Sequence, residues 1–283
     1  MTARPVLVFC EGPHDIAYLT RLLAASGAVA YNVVVSKLEW PFGKLFTDRY
    51  ASRNANNAKL CGRGAVLLDE PPLLEAVWKL PDDSRHWYFL NCCGDGREGQ
   101  INAILKLVTT LTQTAEPKNR LSDLGIVFVN DADEMGIKVR QQQIAGNHAE
   151  ILFPLVPHFA GSLANSVQHN VGLNYGVGTC IFFESGTDKG TLESIVWPLM
   201  RSAASPRHDQ SHDLMDQFAM AGTNIGPGNP ASKKLKAALT AAGQPESPGC
   251  SLAVIPRESL HLTAAALKAD PISMCYLNVL MEA

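Results

Sequence analysis

The sequence predicts an α/β fold with a mainly parallel sheet flanked by helices. Short apolar runs rich in β-forming residues recur along the chain, and between them apolar residues fall at helical spacing. Strands that alternate with helices pair in parallel, because each helix carries the chain back across the sheet. The 283 residues, of which 46% are hydrophobic and 18% charged, can bury a substantial core and are not typical of a disordered chain.

The first predicted unit is a strand, a helix and a second strand. Residues 5–10 (PVLVFC) are predicted to form a buried strand, which Glu-Gly-Pro interrupts. Residues 15–26 carry apolar side chains on one helical face, and Gly27 stands where such a helix ends. Residues 31–35 (YNVVV) are predicted to be the second strand.

The stretch 37–85 is predicted to be a polar insertion on the main domain. Its middle is rich in turn-forming residues (SRNANNAKLCGRG), and residues 73–80 (LLEAVWKL) are predicted to form a short helix. A structureless loop of this length is unusual inside a compact domain, so the insertion is expected to form a lobe.

Two further strand–helix pairs follow the insertion. Residues 87–93 (WYFLNCC) and 124–129 (LGIVFV) are the predicted strands, and helical spacing follows them at 98–114 and 137–144. A weaker strand is predicted at 151–156 (ILFPLV), where Pro154 is unfavourable.

The last predicted strand is 179–183 (TCIFF), followed by a helix at 191–201. The remainder, about 203–283, is predicted to be a helical C-terminal extension of a single domain that spans 1–283. Its predicted helices, separated by loops rich in Gly and Pro, are 213–221, 233–242 and 272–281.

Charge and composition exclude several classes of protein. With 24 Lys and Arg against 27 Asp and Glu, the formal net charge of −3 excludes a basic coat for duplex DNA, so any nucleic-acid contact must come from a local patch. No apolar run approaches the ~20 residues of a membrane span, and no signal peptide is expected. Seven cysteines without a CxxC pair favour buried thiols in a reducing, cytoplasmic compartment.

Acidic residues follow two of the predicted strands directly. Glu11, Gly12 and Asp15 come after the first strand, and Asp131 and Asp133 come after the strand at 124–129. Ligands of open α/β sheets bind at the carboxyl ends of the strands. Carboxylates that meet there repel one another, and a hard cation such as Mg²⁺ would relieve that repulsion. A turn or helix cap is the alternative role for each acid taken singly.

Together these motifs resemble the TOPRIM domain, which DNA topoisomerases, bacterial primases and nucleases of the overcoming-lysogenisation-defect type share. An apolar strand ends in Glu-Gly-x-x-Asp (residues 6–15), a later strand ends in Asp-x-Asp (127–133), and Gly-x-Leu-Glu (190–193) opens a helix. The third motif resembles the small stand-alone TOPRIM proteins. The resemblance covers about half the chain, mainly 4–36, 86–147 and 178–201, and implies a TOPRIM-like Rossmannoid sheet.

The resemblance also implies roles for particular residues. Glu11 would be the catalytic acid or base, Asp131 and Asp133 would hold Mg²⁺ (or Mn²⁺), and Glu193 would be an additional acid at the metal. The substrate side would be formed by Gly12, His14, Asp15 and Lys233. Topoisomerase and primase activities are not expected, because the chain shows neither a suitable tyrosine nucleophile nor zinc-ribbon cysteines. The expected activity is metal-dependent hydrolysis of phosphodiesters in nucleic acid, DNA or RNA.

Two other functions stay open at this point. The resemblance to overcoming-lysogenisation-defect nucleases, many of which depend on an ATPase, and the lack of a GxxxxGK[ST] motif in this chain leave a second function open. The chain would then be a catalytically silent TOPRIM-like module that binds nucleic acid or a partner ATPase. Residues 94–99 (GDGREG) form a literal GxGxxG after a predicted strand, which would suit a dinucleotide-dependent oxidoreductase or a simple turn. His208 and His212, four residues apart, could bind a transition metal on one helical face or lie on a solvated one.

Overall fold

A computed structural model gives the fold as a seven-stranded mixed sheet flanked by helices. It describes residues 3–49, 72–94, 96–114, 116, 120–121, 123–153, 167–170, 172–220, 230–245, 248, 251–252 and 254–283. The strands are β1 Arg4–Cys10, β2 Val29–Ala30, β3 Leu73–Lys79, β4 Arg85–Asn91, β5 Leu124–Asp131, β6 Val167–Asn170 and β7 Tyr175–Phe182. The helices are α1 Pro13–Ala25, α2 Phe42–Arg49, α3 Glu98–Gln113, α4 Ile137–Asn147, α5 Leu192–Met220, α6 Pro230–Gly243, α7 Val254–Glu258, α8 Ala264–Ala269 and α9 Pro271–Glu282, with a 3₁₀ turn at Val35–Lys37.

The strand order is β2-β3-β4-β1-β5-β7-β6, and the four central strands run parallel. Antiparallel pairs close both edges, β2 with β3 and β3 with β4 on one side and β6 with β7 on the other. The central strands β1 and β5 are almost wholly buried, as expected for strands covered by helices on both faces. The expected α/β class with a largely parallel, Rossmannoid sheet is confirmed.

Side chains that alternate along β5 and β7 face different helices. Asp131 is in register with Phe182, and the rings of Tyr18 from α1 and Tyr276 from α9 pack edge-on against Phe182. On the opposite face, the ring of Phe128 stacks on His148, just after α4, at 4.6 Å. Because neighbouring strands share a pleat, Asp131 lies on the α1 and α9 face of the sheet.

Helix α5 is sharply bent. The rings of Trp197 and His208 lie 5.4 Å apart, although the eleven-residue separation in sequence corresponds to about 16 Å along a straight helix. Pro198 and Pro206 both lie inside α5, and proline removes a helical hydrogen bond and displaces the preceding turn. The bend carries the chain back toward the sheet, where α6 packs against α5.

Most predicted elements are confirmed, and several differ. The helices predicted separately at 191–201 and 213–221 belong to the single helix α5 as far as Met220, where the described range ends. Residues 73–79 form strand β3, antiparallel to β4, so the predicted helix there is wrong. The predicted strand at 31–35 is also wrong, since β2 ends at Ala30 and a 3₁₀ turn begins at Val35. Residues 151–153 form a turn rather than the start of a strand, and 154–156 lie outside the described residues.

The polar middle of the predicted insertion, 50–71, also lies outside the described residues. The remainder of 37–85 supplies α2 and β3, so part of this stretch belongs to the main sheet. The expected boundary of the helical extension, near residue 203, falls inside α5. Within the described chain, no helix has both the length and the apolarity needed to cross a bilayer.

Candidate active site

Three neighbouring parallel strands bring acidic side chains to one edge of the sheet. Glu11 follows β1, Asp131 is the last residue of β5, and Glu193 lies in the first turn of α5, which follows β7. β1 pairs with β5, and β5 pairs with β7. The two strands whose ends carry Glu11 and Asp131 are therefore neighbours in the sheet. The carboxyl ends of β1, β5 and β7 therefore form a single acidic edge.

Asp15 joins these acids from the start of α1. Gly12 precedes the helix in an extended conformation and Pro13 occupies the first turn, which suits the fixed φ of proline. The Gly12 amide donates to Asp15 Oδ2 at 2.8 Å, and this bond folds the carboxylate, only 2% exposed, back over the loop after β1. Burial, and then the charges of Glu11 and Glu193, raise the pKa of Asp15 well above its ordinary value, although the Gly12 bond opposes them.

Asp131 occupies the centre of the acidic edge. Its Oδ1 accepts a hydrogen bond from the Leu192 amide at 2.8 Å, which joins the end of β5 to the start of α5. The side chain is buried, with 6% of the residue exposed. Burial raises the pKa of Asp131 well above its ordinary value, and the charges of Asp15, Glu193 and Glu11 raise it further.

Glu193 is the most deeply buried of the four acids, at 1% exposure. The Thr191 hydroxyl donates to its Oε2 at 2.7 Å, and Lys236 Nζ lies 3.7 Å from its Oε1. Gly190, at φ +129°, allows the chain to turn into this segment, because a Cβ there would lie 2.6 Å from the amide nitrogen of Glu184. The Gly-Thr-Leu-Glu motif thus places its glutamate inside the acidic edge.

Lys236, on α6, supplies positive charge to this group. Burial opposes the charge on its ammonium, but Glu193, Asp131, Glu11 and Asp15 outweigh burial and raise the pKa of Lys236. The TOPRIM resemblance implied Lys233 on the substrate side. In the structure, the ammonium beside Glu193 instead belongs to Lys236, one helical turn further on. Lys236 precedes the buried Leu239 by three residues, and this spacing from the apolar face of α6 is the signal that could have identified it.

His14 lies at the margin of the acidic edge. Its Nε2 is 3.5 Å from Asp15 Oδ1. Burial lowers the pKa of His14, the charge of Glu193 raises it, and Lys236 lowers it. The imidazole therefore lies near the carboxylates, and its role on the substrate side stays a prediction.

Asp133 has a different environment from the other acids. It lies beyond the end of β5 at φ +49°, so it does not share the face of Asp131 as an i, i+2 residue of a strand would. Its Oδ2 accepts a hydrogen bond from Arg140 Nη2 at 2.9 Å, and the guanidinium also bonds the Asp131 carbonyl. The charges that act on Asp131 come from Asp15, Glu193 and Glu11. The Asp-x-Asp motif therefore contributes one buried acid and one arginine-paired acid.

The donor set at the acidic edge suits a hard cation, because carboxylate oxygens are the ligands that Mg²⁺ prefers. Burial first, and then repulsion among the acids, raises the pKa values of Asp15 and Asp131. The oxygens of this donor set are not gathered as tightly as in a formed metal cage. Among the described residues, the group with three possible ligand atoms within 4.8 Å of one another is His212, Asp213 and Asp216. These side chains are exposed or half-buried, and Asp216 pairs with Lys234.

The sequence left open whether His208 and His212 share a metal or lie on a solvated helical face, and His208 is in neither arrangement in this structure. His208 is fully buried, and its ring packs edge-on against Trp197. His212 instead lies 3.4 Å from Asp216, measured from Nδ1 to Oδ2.

The glycine-rich segment 94–99 links β4 to α3, as the sequence predicted for either a turn or a cofactor loop. Gly94 and Gly96 adopt φ +92° and +84°, and the Gly94 amide donates to the Glu11 carbonyl at 2.8 Å. Both glycines line a cavity of about 320 Å³ that opens between α3 and α4. Glu11 also lines it, so this residue borders both the cavity and the acidic edge. Dinucleotide binding at this loop stays a prediction.

Comparison with known proteins gives one structural likeness. No protein-family model matches the chain, and no curated protein matches it. The fold is similar to the crystal structure of hypothetical protein PH0156 from Pyrococcus horikoshii OT3, with a TM-score of 0.53 and 14% sequence identity. The match covers 99% of this chain and 95% of the other. At this identity the likeness shows the fold alone, and the class that fold and site define is an α/β protein with an acidic strand edge.

Proposed function

We propose that this chain is a TOPRIM-like, Mg²⁺- or Mn²⁺-dependent phosphodiesterase that hydrolyses nucleic acid. One observation carries the proposal: Glu11, Asp15, Asp131 and Glu193 converge electrostatically at the ends of three adjacent strands, with the Lys236 ammonium beside them. Sheets of this class bind ligands at that edge. Buried like charges held together at a cost in stability are typical of functional sites.

A divalent cation would be held by Asp131 and Glu193, with Glu11 and Asp15 beside them. When bound, such a cation would supply charge neutralisation at a phosphate and a more acidic water. Glu11 is the acid best placed to move a proton, because it is only partly buried and borders the open cavity. Lys236 would contact a phosphate oxygen as a point charge once the cation relieves its attraction to Glu193.

The alternative is a catalytically silent module that binds nucleic acid or a partner ATPase. Two observations favour it: Asp133 is engaged by Arg140, and the four acids are not gathered into a preformed ligand set. The Lys236 ammonium could then serve as a permanent counterion. The two functions differ in whether a divalent cation binds and whether a strand is cut.

The test is cleavage of end-labelled DNA and RNA strands with Mg²⁺ or Mn²⁺, compared with EDTA. Asp131→Asn and Glu193→Gln should each reduce cleavage by about 100-fold or more, the range expected when a group that acts on the reacting atoms is lost. Asp213→Asn is the matched control, because this carboxylate belongs to the separate cluster on α5 and should leave the rate unchanged.

If Asp213→Asn abolished cleavage and Asp131→Asn did not, the catalytic site would instead be the cluster of His212, Asp213 and Asp216. Wild-type protein without cation-dependent cleavage would overturn the hydrolase. Binding of a strand by that inactive protein would then support the silent module.

A further inference from the structure

The cavity between α3 and α4 lies on the other face of the sheet from Asp131. Phe9, Ile101, Phe128 and Ile144, all at most 9% exposed, provide an apolar floor. The His148 ring stacks face to face on Phe128 at 4.6 Å, so the two rings form a layered pair beside this floor. Burial lowers the pKa of His148 to about 4, so its imidazole is uncharged at neutral pH. The floor is therefore apolar and uncharged, with an aromatic pair at its side.

The rim of the cavity has the opposite character. Asn130, Gln143 and Asn147 present amide groups, which both donate and accept hydrogen bonds. Arg97 adds a guanidinium, and its Nε makes no hydrogen bond to any described residue. The negative charges at the rim are Glu11 and Glu98, and Glu98 accepts a hydrogen bond from Asn147 Nδ2 at 3.2 Å.

The volume of about 320 Å³ lies at the lower end of the range for small-molecule pockets, about 300–1,000 Å³. An apolar floor with an amide rim suits a planar heteroaromatic ring that stacks by its faces and bonds by its edge. The adjacent guanidinium suits a phosphate attached to such a ring. A nucleobase with one phosphate has this combination of properties.

We propose that this cavity binds a single nucleotide unit, with the base against the Phe128–His148 ring pair and a phosphate toward Arg97. Glu11 borders both the cavity and the acidic edge, so the unit held here neighbours the phosphate at Asp131. That this nucleotide unit belongs to a nucleic-acid strand rests on the phosphodiesterase function proposed above. A base must leave its stack to enter a pocket of this size, so the substrate class is single-stranded or frayed nucleic acid rather than intact duplex.

The test measures binding to the full chain in EDTA, where no cation-dependent cleavage can occur. The probes are AMP, a fluorescein-labelled single strand and the same strand in a duplex. The single strand should bind about 10-fold more tightly than the duplex, the scale of one stacked base. AMP should compete with the strand. Direct binding of AMP by a protein that does not bind the strand would instead identify a free nucleotide as the ligand.

Gln143→Trp should fill the rim and reduce AMP and single-strand affinity about 10-fold. Its matched control is Gln142→Trp, an exposed neighbour on the same helix that does not line the cavity. Arg97→Gln should weaken AMP binding without filling the cavity, and Lys106→Gln, exposed on α3, is its control. This second pair keeps the test decisive if the tryptophan variant does not fold.

Equal affinity for single strand and duplex, or unchanged AMP binding in both cavity variants, would overturn the proposal. The two proposals fail separately. If cleavage depends on a cation but the cavity variants have no effect, the phosphodiesterase proposal stands and the nucleotide-binding proposal fails. If AMP binding depends on Gln143 and Arg97 but no cation supports cleavage, the nucleotide-binding proposal stands and the phosphodiesterase proposal fails.

Discussion

Replacement of Lys236 by methionine tests how much one ammonium group offsets the destabilising repulsion among the buried carboxylates. Methionine keeps most of the apolar stem and removes the charge. At an effective dielectric constant of about 20, opposite unit charges 3.7 Å apart attract by about 4.5 kcal/mol. The Lys236 side chain is 38% exposed, so water screens it, and we expect Lys236→Met to lower the free energy of unfolding by about 1–3 kcal/mol.

The assay is urea unfolding followed by circular dichroism, at neutral pH and low salt. Lys106→Met, an exposed lysine on α3, should change the free energy of unfolding by less than about 0.5 kcal/mol. Glu193→Gln should remove most of the effect of Lys236→Met, because the double variant leaves no uncompensated glutamate. A Lys236→Met protein as stable as wild type, or one that Glu193→Gln does not rescue, would refute the electrostatic account.

Three further predictions concern titration and the backbone. Because burial and then like charge raise the pKa values of Asp15 and Asp131, the folded protein binds these protons more tightly than the unfolded chain. This stabilisation is complete below the ordinary carboxyl pKa and lost as pH rises, so the Tm from differential scanning fluorimetry should fall from about pH 5 to pH 8, with Mg²⁺ restoring more of it at pH 8. Burial lowers the pKa of His148 to about 4, so its stabilising contribution is present above the unfolded value of about 6.5 and lost toward pH 4. An NMR titration of this ring should have its midpoint near 4, and a midpoint above 6 would contradict the burial argument. Gly190→Ala should cost about 2 kcal/mol or more in urea unfolding, because of its positive φ and the close Glu184 amide, whereas Gly146→Ala, helical with open space around it, should stabilise by about 0.5–1 kcal/mol. If both alanine variants changed the free energy of unfolding equally, neither the positive φ of Gly190 nor its close contact with the Glu184 amide would affect stability.

The sequence predicts best what depends on local pattern. The strands at β1, β4, β5 and β7 are unbroken apolar runs, and burial on both faces requires that composition whatever the order of the strands. β3 was misassigned because its register shifts between Leu74 and Ala76, which breaks the alternation that identifies a half-buried strand.

The candidate site shows the same division. Glu11 and Asp131 could be predicted from their positions at the ends of apolar runs, whereas Glu193 came only from the resemblance of Gly-Thr-Leu-Glu to a TOPRIM motif. The separation of Asp133 from Asp131 could not be predicted, because it depends on one residue at positive φ and on Arg140 reaching back from α4. Lys236 was missed in favour of Lys233 because the bend in α5 determines how α6 approaches the sheet.

The hydrogen bond from the Leu192 amide to Asp131 Oδ1 has an optical consequence. A cation that draws this oxygen away must disturb the first turn of α5, five residues before Trp197. The indole lies 5.4 and 5.6 Å from the rings of His208 and His212, and imidazoles at that range quench tryptophan emission when their spacing or charge changes. Under the proposed function, Trp197 emission should therefore change when Mg²⁺ is added, and Trp197→Phe, which keeps the other three tryptophans, should not show that change.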